Sequence, residues 1–176
     1  MRNVEFKAEL RDPQIALAVA RKLGAGLVAT LEQTDAYFRV LTGRLKRREQ
    51  VVAGEAEPVE YIHYERDDRS PPRISSFQIM SEGEFHERFG TLPLPEWLVV
   101  RKRREVYLLD HARIHLDRVE SLGEFIEFEA LVTPKHNVAR AHETVAHLRS
   151  EFAPAMGEPI SGSYSDLVAQ HQHAPE

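Results

Sequence analysis

The segment Asn3-Val4-Glu5-Phe6-Lys7-Ala8 alternates apolar and charged side chains almost from the start of the chain. Residues i and i+2 of a β-strand point to the same face of a sheet. Glu5 and Lys7 therefore share one face, and Val4, Phe6 and Ala8 share the other. The alternation predicts a strand with one apolar face and one face that carries both signs of charge.

The same alternation recurs in five later segments of the chain. Their polar faces are nearly pure charge, with few of the Ser, Thr, Asn and Gln residues that usually accompany charges on a solvated face. The shared faces are Arg44, Lys46 and Arg48; Tyr64 and Arg66; Lys102 and Arg104; Arg113, His115 and Asp117; and Glu127 and Glu129. An antiparallel sheet with one wet side is one interpretation. Because bases and acids fall on different strands, we favour a sheet that curls so that these faces point inward.

A curled sheet would enclose eight bases and four acids, a surplus of four positive charges. The bases are Lys7, Arg44, Lys46, Arg48, Arg66, Lys102, Arg104 and Arg113, and the acids are Glu5, Asp117, Glu127 and Glu129. Unpaired buried charges are costly, so such a lining calls for a polyanion. Carboxylates beside Arg and Lys are also suited to holding Mg²⁺ against phosphate. The pattern predicts a site for a metal-chelated triphosphate.

The remaining elements predict a single α+β domain over residues 1–170, with a disordered tail at 171–176. A first helix is predicted over 13–23, between Asp12-Pro13 and Gly24, and a second between Ser81 and Gly90. A third helix is predicted over 138–152; Asn137 caps its start, and Gly157 and Pro159 end it. Residues 53–58 are predicted as a loop and 163–168 as a last turn. Strands are predicted over 4–8, 27–40, 44–52, 59–66, 74–80, 97–109, 112–119 and 124–132, seven or eight of them in an antiparallel sheet.

The composition excludes several classes of protein. The 176 residues contain no cysteine, so disulfide scaffolds, thiolate metal sites and cysteine nucleophiles are ruled out. The net charge is −5, which argues against broad binding of nucleic acids or membranes. The chain shows neither an apolar run of membrane-spanning length nor a leader pattern. We therefore expect a cytoplasmic protein with neither a nucleic-acid nor a membrane partner.

Six segments together resemble the motifs of the CYTH superfamily, the triphosphate tunnel metalloenzymes, and in particular its bacterial class IV adenylyl cyclase-like branch. They follow the family's order across residues 1–168. The segments are Asn3 to Ala8, similar to the E-x-E-x-K strand; Gly43 to Glu49, similar to R-x-K-x-R; Tyr64 to Arg66 and Lys102 to Glu105, similar to later basic strands; Leu122 to Glu129, similar to G-x-F-x-E-x-E; and Ser163 to Leu167, similar to a closing motif.

The resemblance implies an eight-stranded antiparallel β-barrel, the triphosphate tunnel, open inside and with helices packed outside. It implies Mg²⁺ or Mn²⁺ as cofactor. The implied metal ligands are Glu5, Glu127 and Glu129, with Asp117 as a further member, and the implied catalytic residues are Glu5, Lys7, Glu127 and Glu129. The implied phosphate-binding residues are Lys7, Arg44, Lys46, Arg48, Arg66, Lys102 and Arg104, to which the inward face of its strand adds Arg113. Asn3 replaces the first Glu of E-x-E-x-K, which weakens or shifts one metal position.

The same lining serves two reactions on a triphosphate-containing small molecule. A class IV adenylyl cyclase would convert ATP to cyclic AMP and pyrophosphate, which is the first interpretation. A triphosphatase would hydrolyse inorganic tripolyphosphate, thiamine triphosphate or a nucleoside triphosphate. The third interpretation is a module that binds polyphosphate without turnover. The sequence does not distinguish these activities, nor does it give the organic part of the substrate, the metal count or the oligomeric state, for which a homodimer stays open.

Overall fold

The computed structural model describes residues 1–172, which form ten strands and four α-helices. The strands are β1 (Arg2–Leu10), β2 (Gly26–Phe38), β3 (Arg44–Val52), β4 (Glu55–Ala56), β5 (Glu60–Arg66), β6 (Arg73–Met80), β7 (Glu96–Leu109), β8 (Ala112–Val119), β9 (Gly123–Leu131) and β10 (Met156–Pro159). The helices are α1 (Pro13–Leu23), α2 (Glu82–Phe89), α3 (Val138–Phe152) and α4 (Tyr164–Gln172), with a 3-10 turn at Ala153–Ala155. The predicted long strands and first three helices are all present.

Eight of the strands close into an antiparallel barrel. Their order is β1-β6-β5-β3-β2-β7-β8-β9, and β9 pairs with β1 to complete the ring. In that last pairing Glu5 lies opposite Glu129 and Lys7 lies opposite Glu127. The predicted eight-stranded antiparallel barrel is confirmed, and the register places charged positions of the first and last strands next to each other.

The apolar side of the sheet is the outside of the barrel. Val4, Phe6 and Ala8 of β1 are fully buried with Ile126 and Phe128 of β9 beneath α1 and α3. Phe128 also packs on Phe152 at the end of α3. Because this face is covered by helices, the opposite face must point into the barrel, and β1 therefore turns Glu5 and Lys7 inward.

The helix boundaries follow the capping signals of the sequence. The Asp12 side chain accepts hydrogen bonds from the backbone of Gln14 and Ile15 at 3.0 Å each, and Gly24 ends α1 in the left-handed conformation with φ of +78°. Ser81 and Glu84 form a capping box at the start of α2. The Asn137 side chain accepts from the backbone of Arg140 at 3.0 Å at the start of α3.

Three short elements differ from the sequence-based expectation. Residues 55–56 of the predicted loop pair with the end of β3, and Gly157 and Pro159 lie in β10, which pairs with β1. The predicted last turn is the first half of α4, which continues through Gln172 into the segment predicted as a tail; residues 173–176 lie outside the described residues. Such short pairings depend on long-range neighbours, which local periodicity does not reveal.

Helix α4 covers one end of the barrel. Tyr164 and Val168 are buried against Tyr37, Val100 and Phe125 of three different strands. These contacts hold α4 against residues of β2, β7 and β9, and the barrel is consistent with the predicted triphosphate tunnel fold. Among residues 1–172, none of the helices combines the length and apolar character needed to cross a lipid bilayer.

Candidate functional site

A cavity of about 350 Å³ fills the interior of the barrel and receives side chains from all eight of its strands. Ten of the predicted site residues line it. They are Glu5, Lys7, Lys46, Arg48, Arg66, Lys102, Arg104, Arg113, Glu127 and Glu129. Asp117 and Arg44 belong to the predicted set but lie outside the lining. The inward orientation inferred from strand alternation is thus observed for most of the charged faces.

The cavity wall carries a surplus of positive charge that is smaller than the sequence analysis gave. Seven bases and four carboxylates line it, a surplus of three instead of four. The difference arises because Arg44 and Asp117 lie elsewhere and because Glu60 of β5 joins the wall. The interior still has the composition expected of a site for a polyanion.

One side of the cavity holds a cluster of two carboxylates and an imidazole. Nδ1 of His115 lies 4.0 Å from Oε1 of Glu127 and 4.0 Å from Oε1 of Glu129. Burial and the charge of Glu127 raise the pKa of Glu129 to about 8, so the pair of carboxyl groups holds a proton at neutral pH. Burial and the charge of Arg104 hold the pKa of His115 well below its usual range, so the imidazole is neutral.

Two cations hold the other oxygen of Glu127. Lys7 Nζ lies 3.4 Å from Oε2, and Arg104 Nη2 lies 3.3 Å from the same atom. Burial by itself would raise the pKa of Glu127, but Lys7 and Arg104 outweigh it and hold the pKa well below the usual range. Lys7 also stands 3.9 Å from the centre of the Tyr164 ring, and burial lowers its pKa. Glu127 is therefore ionised and fixed in position.

Asp117 does not line the cavity but bonds to residues that do, and its side chain is fully buried. It accepts hydrogen bonds from Arg104 Nε at 2.7 Å and Nη2 at 2.6 Å, and from the Tyr164 hydroxyl at 2.6 Å. Lys102 Nζ is 3.8 Å away. Burial would raise the pKa of Asp117, but Arg104 and Lys102 together lower it. Both of its oxygens are occupied by protein donors, so the structure places it as a support for the bases.

Asp35 of β2 is a buried carboxylate that the sequence analysis missed. Its oxygens accept from Lys46 Nζ at 2.8 Å and from Arg48 Nε and Nη2 at 2.7 Å each. Burial would raise the pKa of Asp35, but Lys46 and Arg48 outweigh it and hold the pKa well below its usual range. Burial and the neighbouring Arg48 lower the pKa of Lys46 to about 8. The alternation in β2, which puts Gln33, Asp35 and Tyr37 on one face, could have predicted that Asp35 points inward.

Glu5 binds two arginines. Its Oε1 accepts hydrogen bonds from Arg66 and from Nε of Arg73. Arg73 is fully buried, and its Nη1 donates to the carbonyl oxygens of Arg69 and Ile160. The sequence analysis also missed Arg73, because this residue stands at the first position of β6 beside a loop. The pair of arginines fixes Glu5 beside the carboxylates of β9.

Arg44 lies at the end of the barrel that α4 covers. Its Nη2 donates to Asp68 at 2.8 Å and to Asp166 at 2.7 Å. Asp166 also accepts from the backbone of Ser163 at 2.8 Å and so caps the start of α4. Arg44 therefore connects β3 to the helix.

The cavity wall also carries apolar side chains. They are Leu31, Ile62, Phe77, Ile79 and Val106, from β2, β5, β6 and β7. The register interleaves them with charged groups, since Leu31 lies opposite Arg104 and Ile62 lies opposite Lys46. The amides of Gln33 and Gln50 also line the cavity and bond to each other at 2.9 Å. A ligand that carries both a polyanionic group and an uncharged group matches this mixed lining.

The cluster of His115, Glu127 and Glu129 has the donor atoms of a divalent-metal site, since the three atoms lie within 4.8 Å of one another. His115 Nδ1 is buried and has no hydrogen-bond partner among the described residues, so a donor atom is aimed at the carboxylates and unused. A second group with suitable atoms, Asp110, His111 and His136, lies on the outside of the barrel. The inner cluster adjoins the phosphate-binding candidates and fits a metal that acts on a bound triphosphate.

A closed antiparallel barrel with a basic and carboxylate-bearing interior defines the class of triphosphate tunnel proteins. Residues 1–164 match the CYTH domain family, and the chain belongs to that family. Members of the family bind triphosphate substrates and depend on a metal ion.

Relatives cover nearly the whole chain. A protein of Methanocaldococcus jannaschii named "Putative adenylate cyclase" is 23% identical over 172 residues, which are 95% of this chain and 98% of the relative. The solved PH1819 protein of Pyrococcus horikoshii has a TM-score of 0.68 at 23% identity and covers 96% of this chain and 99% of its own. A Hippeastrum protein described as a "putative adenylyl cyclase" with a dominant triphosphatase activity has a TM-score of 0.59 at 13% identity, over 99% and 97% of the two chains. At these identities the structural likeness shows the fold.

Proposed function

We propose that this protein is a metal-dependent enzyme that acts on a triphosphate bound inside the barrel, and that the reaction is the conversion of ATP to cyclic AMP and pyrophosphate. The observation that carries the proposal is the convergence of seven bases and four carboxylates around one cavity inside the barrel. Burial of that much charge is unfavourable without a polyanion to complete it.

The bases of the cavity would bind the phosphates along their length. Those assigned here are Lys7, Lys46, Arg48, Arg66, Lys102, Arg104 and Arg113. Arg48 and Arg104 are each held in a two-bond contact by a buried aspartate, so their remaining donors point in fixed directions. This preorganisation favours binding of phosphate oxygens, because little side-chain freedom is lost on binding. Arg44 stays a prediction, since a phosphate would have to replace Asp166 as its partner.

Glu127 and Glu129 would hold the metal, with Glu5 on the adjacent strand as a further carboxylate; Asp117, whose oxygens are occupied, stays a prediction in that role. A divalent ion there would neutralise phosphate charge and polarise the reacting phosphorus. Glu5, Lys7, Glu127 and Glu129 are the proposed catalytic residues. Lys7 would place its ammonium group between Glu127 and the phosphates, where it compensates charge that develops during the reaction.

The apolar side chains of the cavity wall support a substrate with an organic group. Leu31, Phe77 and Val106 offer a surface for a ring, and the amide of Gln33 offers hydrogen bonds to it. In the cyclase reaction the ribose 3′-hydroxyl releases its proton to water and its oxygen forms a bond to the α-phosphorus, the bond from that phosphorus to the bridging oxygen breaks, and pyrophosphate leaves. Close packing of the base and ribose would hold the hydroxyl in line with the leaving group.

Hydrolysis of the triphosphate is the second candidate. It is favoured by Arg113, which lines the cavity and is exposed, because water can enter the cavity there. The dominant triphosphatase activity described for the Hippeastrum relative also supports it. A binding module without turnover is the third candidate; the carboxylates beside the bases argue against it, because bases alone would suffice for binding.

Product analysis distinguishes the candidates. The purified protein is incubated with ATP, tripolyphosphate or thiamine triphosphate, each with Mg²⁺ or Mn²⁺. Cyclic AMP with pyrophosphate supports the cyclase, whereas orthophosphate without cyclic nucleotide identifies a triphosphatase. Glu127→Gln should abolish turnover while the protein still binds tripolyphosphate. Arg103→Gln is the control, because Arg103 faces outward and pairs with Glu32 at 3.3 Å. Absence of both turnover and polyphosphate binding would refute the proposal.

A further inference from the structure

His115 has a buried ring nitrogen with no assigned partner. The residue lies on β8, its side chain is 4% exposed, and Nδ1 has no hydrogen-bond partner among residues 1–172. A buried polar atom without a hydrogen-bond partner is energetically unfavourable. A residue that merely fills the wall of the barrel would avoid that cost if it were apolar, so the imidazole calls for a further explanation.

The unpaired nitrogen is aimed at one oxygen of each neighbouring glutamate. Nδ1 lies 4.0 Å from Oε1 of Glu127 and 4.0 Å from Oε1 of Glu129. These distances exceed those of a hydrogen bond, so the groups face one another without bonding. Glu127 uses its other oxygen for Lys7 and Arg104, which leaves Oε1 directed toward His115.

We propose that His115 is a third protein ligand of the divalent ion, together with Glu127 and Glu129, and that its nitrogen makes the site favour Mn²⁺ over Mg²⁺. The inference rests on the proposed function in that it places the ion in the same cavity. Two atoms that bind one ion at about 2.0–2.2 Å each lie at most about 4.4 Å apart. The 4.0 Å separations fall within that limit.

The choice of metal follows from the donor atoms. Mg²⁺ is a hard cation that prefers oxygen ligands and retains several waters, and it gains little from an imidazole. First-row transition ions accept nitrogen together with carboxylate oxygen. A site with one nitrogen and two carboxylates should therefore discriminate against Mg²⁺, which narrows the choice between Mg²⁺ and Mn²⁺ that the sequence left open.

The second His-containing cluster must be separated from this site in any metal titration. The rings of His111 and His136 are stacked at 3.8 Å with an interplanar angle of 9°. Both nitrogens of His111 also have partners, Asp110 at 3.0 Å and Thr144 at 3.1 Å. An ion could bind there only after these contacts break. His111→Leu removes this cluster from the outside of the barrel and is the matched histidine control.

The test measures the binding of Mn²⁺ and Mg²⁺ to the full chain without substrate. Electron paramagnetic resonance of free Mn²⁺ gives the Mn²⁺ affinity, and competition with Mg²⁺ gives the Mg²⁺ affinity. His115→Leu should lower the Mn²⁺ affinity by at least about 10-fold, and that of Mg²⁺ by less than about 3-fold. Bound Mn²⁺ should show a ¹⁴N coupling from an imidazole in pulsed measurements. That coupling should persist in His111→Leu and vanish in His115→Leu.

Mn²⁺ bound without a ¹⁴N coupling that depends on His115 would overturn the inference and leave the proposed function standing. If the coupling vanishes in His111→Leu, the inner site is wrong and the outer cluster is the nitrogen donor. The wild type could instead bind tripolyphosphate but bind neither Mn²⁺ nor Mg²⁺, whether tripolyphosphate is present or absent. In that case the metal-dependent function itself fails. Should His115→Leu not fold, the coupling in the wild type and in His111→Leu still decides between the two histidine sites.

Discussion

Arg104 and Asp117 form a two-bond ion pair, at 2.7 and 2.6 Å, in which the aspartate side chain is fully buried. Arg104 lines the cavity, whereas Asp117 lies outside the lining, and Arg104 also reaches Glu127 at 3.3 Å. The position of an acid in the proposed metal cluster thus depends on an arginine that is oriented by a second acid outside the cavity. Such support is what holds a binding group in a reproducible geometry.

Replacement of Asp117 by Asn should therefore act on stability. Arg104 would lose a charged partner in a buried setting, and we expect the free energy of unfolding to fall by about 3–5 kcal/mol. Urea denaturation measures this. Glu124→Gln, which removes the exposed pair of Glu124 with Arg118 at 2.8 Å, is the control and should change the free energy of unfolding far less. A free energy of unfolding that is unchanged in Asp117→Asn would contradict this prediction.

The neighbouring residues Lys102 and Arg103 point to opposite faces of β7 and provide a matched pair. Lys102 lines the cavity, whereas Arg103 lies on the outside. Lys102→Gln should weaken tripolyphosphate binding about 10- to 100-fold, because a charge-assisted contact is lost. Arg103→Gln should leave the affinity unchanged. Calorimetry measures both; equal effects of the two substitutions would mean that the ligand does not bind inside the barrel.

The pH dependence of polyphosphate binding should report on Lys46. Its pKa in the free protein is about 8, and a bound polyanion would raise it. The complex then holds more protons than the free protein above pH 8, so affinity should fall as the pH rises through 8. Lys46→Arg keeps its charge at these pH values and should flatten this part of the profile. Identical profiles for wild type and Lys46→Arg would exclude Lys46 from the binding set.

The same pKa shift predicts an effect on the free protein with the opposite sign. The pKa of Lys46 is lowered on folding, so the unfolded chain binds more protons between pH 8 and 10.5. The contribution of Lys46 to stability should therefore increase over that window as the pH rises. Urea denaturation of wild type and Lys46→Met at pH 7.5 and pH 9.5 tests this, because the difference between the two proteins should shift in favour of the wild type at the higher pH.

Arg44 should act mainly through helix α4. Its bond to Asp166 at 2.7 Å joins β3 to the start of that helix. In a double-mutant cycle, Arg44→Gln and Asp166→Asn should show a coupling free energy of about 1 kcal/mol in thermal or urea unfolding. A loss of tripolyphosphate affinity in Arg44→Gln as large as that in Arg48→Gln would show instead that Arg44 contacts the phosphates.

Strand alternation predicted the inward and outward faces well where strands are long. In β1 the apolar face of Val4, Phe6 and Ala8 is buried under helices, and Glu5 and Lys7 line the cavity. The two-residue period of a strand specifies which face each side chain takes, without knowledge of which strands lie beside it. The outward position of Arg103 follows from the same rule.

Strand alternation could not predict which residues that are distant in the sequence pair with each other. Asp35 stands in a strand predicted from its β-branched and aromatic residues, and its contact with Lys46 and Arg48 depends on the register of β2 against β3. Arg73 stands at a strand end, where alternation has no preceding residue to fix its phase. In the same way, α4 is a helix because its apolar residues meet the end of the barrel.

The sequence by itself determined which segments are the long strands, which side of each carries the charges, and the order of the motifs that identify the family, because these depend on local sequence. The tertiary structure decided which acids meet which bases. Closure of β9 on β1 and the docking of α4 place Glu127 beside Lys7 and Asp117 behind Arg104, and residues this far apart in the chain are brought together only by the barrel.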